Sequence, residues 1–491
     1  MSNFDDICAA RLSVFALAAA AVLTTGCAIG PDYARPDIAS SASFKEADGW
    51  AAAQPADAVH RGDWWAVFDD PQLDALAKQV AVSNQNVAAA QAAYAQARAL
   101  VAQQRAGLFP TIDLTGSATR SDSGGGNSSR TVTDSTTGET TVVSGGGSIN
   151  NSYRASIGAS WEPDVWGRLR RTVEGAAASE QASAADLASA TLSAQGELVT
   201  NYLSLRESDA EIELLKATLE GYERALQIAQ NRYKAGIAPR TDVLSAQTQL
   251  YGTQADMEGL ARSRGQLEHA IAVLVGQAPA NFRLEPAPWN GVVPSVPVGV
   301  PSELLQRRPD IAGAERRVAN ANAQVGIARS AYFPSLALSA SYGSQTSSLS
   351  DLFSASSMLW SIGVSATETL LDFGSRKAQI AQSRAAYDQA VATYRQTVLS
   401  AFADVEDQLT GVRVLERTQE LRAKASAVAD ENERLILNQY KAGQVSYTEV
   451  VTAQASALSA RRTLIQSSLD RQTTAVALIQ ALGGGWEAPV P

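Results

Sequence analysis

The sequence predicts an α+β membrane protein with an internal two-fold repeat. Each repeat supplies two strands of membrane-spanning length and one very long helical hairpin. Three observations carry this reading: a duplication, two long proline-free intervals, and four alternating segments. The duplication is read directly. Residues 231–250 (NRYKAGIAPRTDVLSAQTQL) match residues 438–457 (NQYKAGQVSYTEVVTAQASA) at an offset of 207. The same offset aligns Trp166-Gly167 with Phe373-Gly374, and Leu274-Val275-Gly276 with Ala481-Leu482-Gly483. Upstream, residues 108–118 (LFPTIDLTGSA) match residues 332–342 (YFPSLALSASY) at an offset of 224. A duplication this long copies a whole structural unit, not a solenoid motif.

Taken from the N-terminus, the first element is a targeting signal. Arg11 precedes an apolar stretch, residues 12–23, of the length of a signal h-region and too short to span a bilayer as a helix. Asp5 and Asp6 stand beside Arg11, so the n-region is not strongly basic. The stretch ends in Leu23-Thr24-Thr25-Gly26-Cys27, which resembles a bacterial lipobox. That pattern implies cleavage before Cys27 and acylation of its thiol and new amino group, as S-diacylglycerol and N-palmitoyl. An ordinary signal peptide with a chance cysteine is the plainer alternative.

The long helices come from composition and spacing. No proline lies between Pro163 and Pro239, or between Pro334 and Pro489, and both intervals are rich in good helix formers. Residues 167–234 as one helix would extend on the order of 100 Å. Ile212, Leu215, Leu219, Tyr222, Leu226, Ala229 and Tyr233 follow 3-4 spacing, a coiled-coil seam that speaks for packing and not for chemistry. Each interval ends in Tyr-Lys-Ala-Gly (residues 233–236 and 440–443), where glycine permits a left-handed cap. Thr241-Asp242 and Ser446 then offer N-cap types for a second helix.

The strands come from alternation. Ile112, Leu114, Gly116 and Ala118 alternate with Asp113, Thr115, Ser117 and Thr119; Tyr153, Ala155, Ile157, Ala159 and Trp161 do the same. The second repeat answers with Leu336, Leu338, Ala340 and Tyr342, then Trp360, Ile362, Val364 and Ala366. Each segment has the length of a transmembrane β-strand. The loop 121–150 is Gly, Ser and Thr, expected to be flexible and exposed, and its counterpart 345–357 is shorter. Four strands cannot close a membrane barrel, and lipid does not tolerate an open edge. Two copies would make an eight-stranded barrel filled by side chains, and three a twelve-stranded barrel with a lumen.

Composition excludes several classes. The net charge of −10 leaves no basic footprint for nucleic acid. Two cysteines and two histidines (His60, His269) supply neither a disulfide framework nor a metal site. No nucleophile elbow, phosphate loop or zinc motif occurs, so neither an enzyme nor a cofactor is expected.

Several stretches resemble the outer-membrane efflux protein family, the TolC-like outer membrane factors, and within it the lipoprotein branch called NodT-like. They are CAIGPDYARP (27–36), DWWAVFDDPQLDALA (63–77), SWEPDVWGRLRR (160–171), LLQRRPDIAGAERRVANANAQVGIARSAYFPSL (304–336) and the two YKAG turns. The resemblance implies a homotrimer, with a 12-stranded outer-membrane β-barrel continued by a long α-helical periplasmic barrel. It implies the exit duct of a tripartite efflux system, passing small toxic compounds or drugs from an inner-membrane transporter of the resistance-nodulation-division type and a periplasmic adaptor. Ala28 after the lipidated cysteine implies sorting to the outer membrane. A protein-secretion duct of the same fold, and a trimeric coiled-coil lipoprotein without a channel, are the alternatives; the second gives no reason for strand hairpins at equal points in two repeats.

The expected organisation is a signal peptide (1–26), an N-terminal equatorial segment (27–71) and repeat 1 (72–278; strands about 111–121 and 151–161, hairpin 167–276). A Pro-rich equatorial linker (279–301), repeat 2 (302–483; strands about 335–344 and 358–368, hairpin 374–482) and a tail (484–491) follow. The resemblance places a gate near the periplasmic end, carried onto Tyr440, Glu449 and Thr452. The family's carboxylate and arginine positions hold Thr452 and Val445 here, a departure from a salt-bridged gate. Three Glu449 carboxylates could form a ring; the alternative is an exposed first-turn residue favoured by the helix dipole. Adaptor contacts are expected at Tyr233, Gly236, Arg240, Asp242, Gly443 and Tyr447.

Overall fold

The computed structural model describes residues 28–38, 44–45, 63–122, 129–133, 140–144, 149–294 and 308–484. Cys27, the signal peptide, part of the linker and nearly all of the tail lie outside them. The chain forms two compact units: residues 1–34, 99–177 and 319–387 in one, residues 35–98, 178–318 and 388–491 in the other. Each unit draws on residues of both repeats.

The first unit is built on a four-stranded antiparallel sheet of β1 (Thr111–Asp122), β4 (Ile149–Trp161), β5 (Ser335–Thr346) and β6 (Met358–Thr367), in the order β1-β4-β5-β6. β4 pairs with β5, so the repeats join through strand hydrogen bonds. The register carries the alternation across all four strands. Leu114, Ile157, Tyr342 and Trp360 form one row, and Ile112, Ala159, Ala340 and Ile362 the next. The opposite face is small and polar, and hydroxyls pair across it at 2.8 Å: Thr111 with Ser160, Thr115 with Ser156, Ser341 with Ser361. The apolar residues Ile112, Leu114, Trp360, Ile362 and Val364 are exposed. Among the described residues, no strand pairs with the outer edges of β1 and β6.

One expectation needs correction. The long polar loop of the first repeat carries a second sheet, β2 (Ser129–Thr133) paired antiparallel with β3 (Thr140–Ser144). Its β-branched stretches, Thr131-Val132-Thr133 and Thr140-Thr141-Val142-Val143, favour extended backbone and were hidden by the surrounding Gly and Ser.

The second unit holds most of the helical packing. The helices are α1 (Pro71–Ser83), α2 (Gln85–Ala106), α3 (Arg168–Lys234), α4 (Arg240–Leu274), α5 (Pro309–Ser330), α6 (Ser375–Lys441) and α7 (Tyr447–Ala481). The repeat is kept to the residue. α3 and α6 are both 67 residues long, and α4 and α7 both 35, with bounds 207 positions apart. Among the described residues, no helix is long and apolar enough to cross a membrane.

The largest core lies where the short N-terminal elements meet the long helices. Trp64, Trp65 and Phe68 on a 3-10 turn join Leu73, Leu76 and Val80 of α1. They pack in one cluster with Leu198 and Leu205 of α3, Ile271 of α4, Val405 and Leu409 of α6, and Leu478 of α7. Asp70 starts α1 as N-cap, accepting from Gln72 N at 2.9 Å and Leu73 N at 3.1 Å, with Pro71 at N1. Its other oxygen accepts from Tyr202 Oη of α3 at 2.6 Å, which ties the cap to the long helix.

Gly343 tests the sheet. A Cβ there would stand 2.4 Å from the Ala155 carbonyl oxygen and 2.6 Å from Ser156 Cα, both backbone of β4. We expect Gly343→Val to force β4 from β5 and to destabilise the fold by about 1–3 kcal/mol or more. The measurement is the temperature at which the folded band is lost on semi-native gels; an unchanged temperature refutes the close approach.

Candidate functional site at the helical hairpin tips

The hairpin turns lie at the ends of α3 and α6. Gly236 (φ 72) and Gly443 (φ 79) adopt the left-handed conformation. Around them, Ile237 N donates to Arg232 O and Gln444 N to Gln439 O, both at 2.9 Å, closing the helix ends. The caps of the following helices differ from expectation. Pro239, not Thr241 or Asp242, is the N-cap of α4, with an extended backbone at φ −72 and ψ 158. Ser446 caps α7 without a side-chain hydrogen bond to the backbone; its Oγ lies 3.4 Å from Glu449 Oε1 instead.

The residues nominated for gate and adaptor separate into two groups. Tyr440 and Tyr447 are both 2% exposed and meet edge to face, ring centroids 5.2 Å apart. They sit in a small core with Ala229 of α3, Ala246 of α4 and Val450 of α7. This corrects the placement of Tyr447 as a tip contact: its ring is used within the chain. Tyr233, Gly236, Arg240 and Gly443 are exposed, and Asp242 is half-buried. Glu449 and Thr452 are exposed one turn apart on α7, and Thr452 Oγ1 donates to Thr448 O at 2.9 Å.

Sequence reading missed that Tyr440 belongs to a contact between repeats. Asp242 of α4 lies 3.4 Å from the Tyr440 hydroxyl, long for an O–H···O bond. Arg232 of α3 stacks over the Tyr440 ring at 4.9 Å. Its Nη1 donates at 3.3 Å to Tyr440 O, which also accepts from Gly443 N at 2.9 Å, and at 3.4 Å to Lys441 O at the end of α6. Burial, and then the Asp242 charge, push the Tyr440 phenol up; burial and the Tyr440 phenol push Tyr447 up to about 12. Both phenols are therefore neutral at physiological pH. Tyrosine and aspartate 198 positions apart leave no local spacing signal; only the repeat alignment could have paired their turns.

A second polar cluster lies higher on α3. Arg206 donates to Asp209 at 2.7 Å and stacks on Tyr202 at 4.9 Å, while Arg264 of α4 reaches Asp209 at 2.5 Å. On α7, Arg461 pairs with Asp430 and Glu433 of α6, each at 2.8 Å, and the next residue, Arg462, pairs with Glu211 of α3. Adjacent arginines thus hold α7 to both neighbours. Buried Glu207, one turn before Glu211, is pushed up to about 7 by burial first and by the Glu211 charge second, against the pull of Arg462. Among the described residues, no group of three potential metal ligands is present.

These features define a class: membrane channel proteins in which a sheet bare on both faces alternates with long helical hairpins whose tips interlock. The chain belongs to the outer membrane efflux protein family, whose sequence model matches residues 76–277 and 300–484. It is 31% identical over 479 residues to the probable efflux pump outer membrane protein TtgC of Pseudomonas putida, covering 96% of each chain. To the pyoverdine export outer membrane protein OpmQ of Pseudomonas aeruginosa it is 28% identical, over 96% of this chain and 97% of the relative. Among solved structures, the outer-membrane channel OprN superposes with a TM-score of 0.83 at 29% identity, over 94% of this chain and 100% of that one. The MtrE outer membrane channel of Neisseria gonorrhoeae, described as its open state, superposes with a TM-score of 0.80 at 26% identity, over 94% and 99%. The protein is an outer-membrane channel of an efflux system.

Glu207 supplies a pH test. Its carboxyl titrates near 4.5 when unfolded and about 7 when folded. The stability it allows is fully present below pH 4.5 and is lost as pH rises through 7. We expect Glu207→Gln to stabilise the protein by about 2 kcal/mol at pH 8 and to be near neutral at pH 4. Thermal melts of both proteins across that window check it; a gain independent of pH refutes the assignment.

Proposed function

We propose that three copies of this chain form a passive exit duct, gated at the hairpin tips and supplied by a periplasmic adaptor and an inner-membrane transporter. The observation that carries the reading is the sheet: four strands, both faces bare and both outer edges unpaired among the described residues. Edge groups left unpaired in hydrocarbon cost several kcal/mol each, so closure by further copies is favoured. Three copies make twelve strands, wide enough for a lumen. The apolar rows then face lipid and the hydroxyl-bearing face lines the lumen.

The cargo is a small molecule in this reading. Relatives are named for toluene efflux and for pyoverdine export. Energy and selectivity are assigned to the transporter, of the resistance-nodulation-division type. The adaptor meets the exposed tip residues Tyr233, Gly236, Arg240 and Gly443. Cys27, outside the described residues, bears the lipid that adds membrane affinity, about 0.8 kcal/mol per buried CH₂.

The gate is assigned to the contact between repeats. Asp242 and Arg232 of the first repeat hold Tyr440 of the second, so parting the two hairpins breaks the contact. A typical hydrogen bond contributes about 0.5–1.5 kcal/mol; this long one belongs at the low end, enough to shift an open-to-closed ratio by about 2-fold. Glu449 and Thr452 share an exposed face of α7 and line the constriction in this reading. The purified protein should conduct in planar bilayers, and Asp242→Ala should raise its open probability about 2-fold. Failure to conduct sinks the duct; conduction unaltered by Asp242→Ala sinks only this gate. Separately, Cys27→Ser should abolish acylation, read as a loss of lipid mass, while trimers still form from a signal-swapped precursor. Loss of trimer there would make the lipid part of assembly and not a supplementary anchor.

A further inference from the structure

The first repeat closes its strand-to-helix corner within the chain. Trp166, just before Gly167, stacks on Phe333 with centroids 5.0 Å apart and planes at 30°. Its indole Nε1 donates to Pro334 O at 2.7 Å. Phe333 and Pro334 lead into β5, so the corner of repeat 1 rests on the start of a strand in repeat 2. The strands whose ends meet there, β4 and β5, are also paired.

The duplication says what the matching contact must be. At the offset of 207, Trp166 corresponds to Phe373. At the offset of 224, Phe333-Pro334 correspond to Phe109-Pro110, which lead into β1. β6 and β1 are the opposite edges of the sheet, so this second corner cannot close within one chain. Both rings are indeed bare: Phe373 is 93% exposed and Phe109 68%. Leu370 and Leu371 beside Phe373 are exposed as well. Phe373 also has φ 51, a left-handed conformation unfavourable for an aromatic residue. The Asp372 carboxylate, accepting from Gly374 N and Arg376 N at 3.0 Å each, holds this turn and so presents the bare ring in a fixed place.

We infer that Phe373 of one copy packs on Phe109 of the next, repeating between chains the stack that Trp166 and Phe333 make within one. The inference rests on the trimer proposed above and names the residues that join its copies. It also fixes the register of the joining strands. Ser160 lies opposite Ser339, and Ala159 opposite Ala340. Carried by the two offsets, Thr367 lies opposite Thr115 of the next copy, and Ala366 opposite its Gly116. One difference is built in. Phenylalanine lacks the indole N–H, so the joint between copies has the stack without the hydrogen bond to the proline carbonyl. The corner within the chain is therefore the stronger of the two.

The test uses the full-length protein in detergent. A variant carrying Thr115→Cys and Thr367→Cys should, on oxidation, give a covalent ladder up to three chains on a non-reducing denaturing gel. Either cysteine alone, or Thr115→Cys with the out-of-register Gly363→Cys, should give none. Phe373→Ala should lower the temperature at which SDS dissociates the trimer, and Phe373→Trp, which restores the donor, should raise it. A single-chain mass for the native protein would overturn the trimer and this joint with it. A three-chain mass without the Thr115–Thr367 crosslink, and with dissociation unmoved by both Phe373 variants, would overturn the joint and leave the trimer standing.

Discussion

The outer rows of backbone N–H and C=O groups on β1 and β6 govern how the rest of this molecule is built. In water such edges can be solvated; in hydrocarbon they must be paired. No proline lies within either strand, and apolar residues alternate with small or polar ones; the charges are Asp113, Arg120 and Asp122 of β1. An edge without proline stays open to pairing with a further strand. The polar face needs only short hydroxyls, because Thr–Ser and Ser–Ser pairs satisfy each other across strands.

The helices answer a different demand. Each is far too long to be stabilised by one core, so packing is distributed along its length in separate clusters, the largest near the N-terminal elements and a small one at the turns. Between clusters, charged pairs do the joining. Arg461 and Arg462 are the clearest case, adjacent on α7 and directed to different helices. At the turns the cluster is small and its polar contact long, so this end parts at lower cost than the region around Leu409 and Leu478.

The duplication, the long helices and the four strands were legible because each has a period: 207 residues, 3.6 and 2. The helix bounds follow from Pro, Gly and the YKAG turns. What remained hidden had no period. The small β2–β3 sheet is two short β-branched stretches inside a Gly- and Ser-rich loop, where composition suggests flexible backbone. The burial of Tyr447 could not be told from sequence, since an aromatic ring after a turn serves equally as a surface contact or a core residue. Asp242 was read as a cap type and a tip residue; that its carboxylate meets a tyrosine of the other repeat depends on how two hairpins lie side by side. The polar chain from Asp70 through Tyr202 and Arg206 to Asp209 and Arg264 draws on three separated segments.

The equal lengths of the paired helices have a consequence for how such a chain can change. The loop between β1 and β4 differs from its counterpart in the second repeat by many residues, and this alone accounts for the change of offset from 224 to 207. Inside α3 or α6 nothing has been added or lost. One residue inserted there would turn everything beyond it by about 100°, swinging Tyr440 or Arg232 off its partner and exposing the buried stripe. Length in this protein is thus free at one hairpin loop and frozen along the helices. Peptide tags and grafted epitopes belong in the first, while lineages of such chains would diverge along the helices by substitution only.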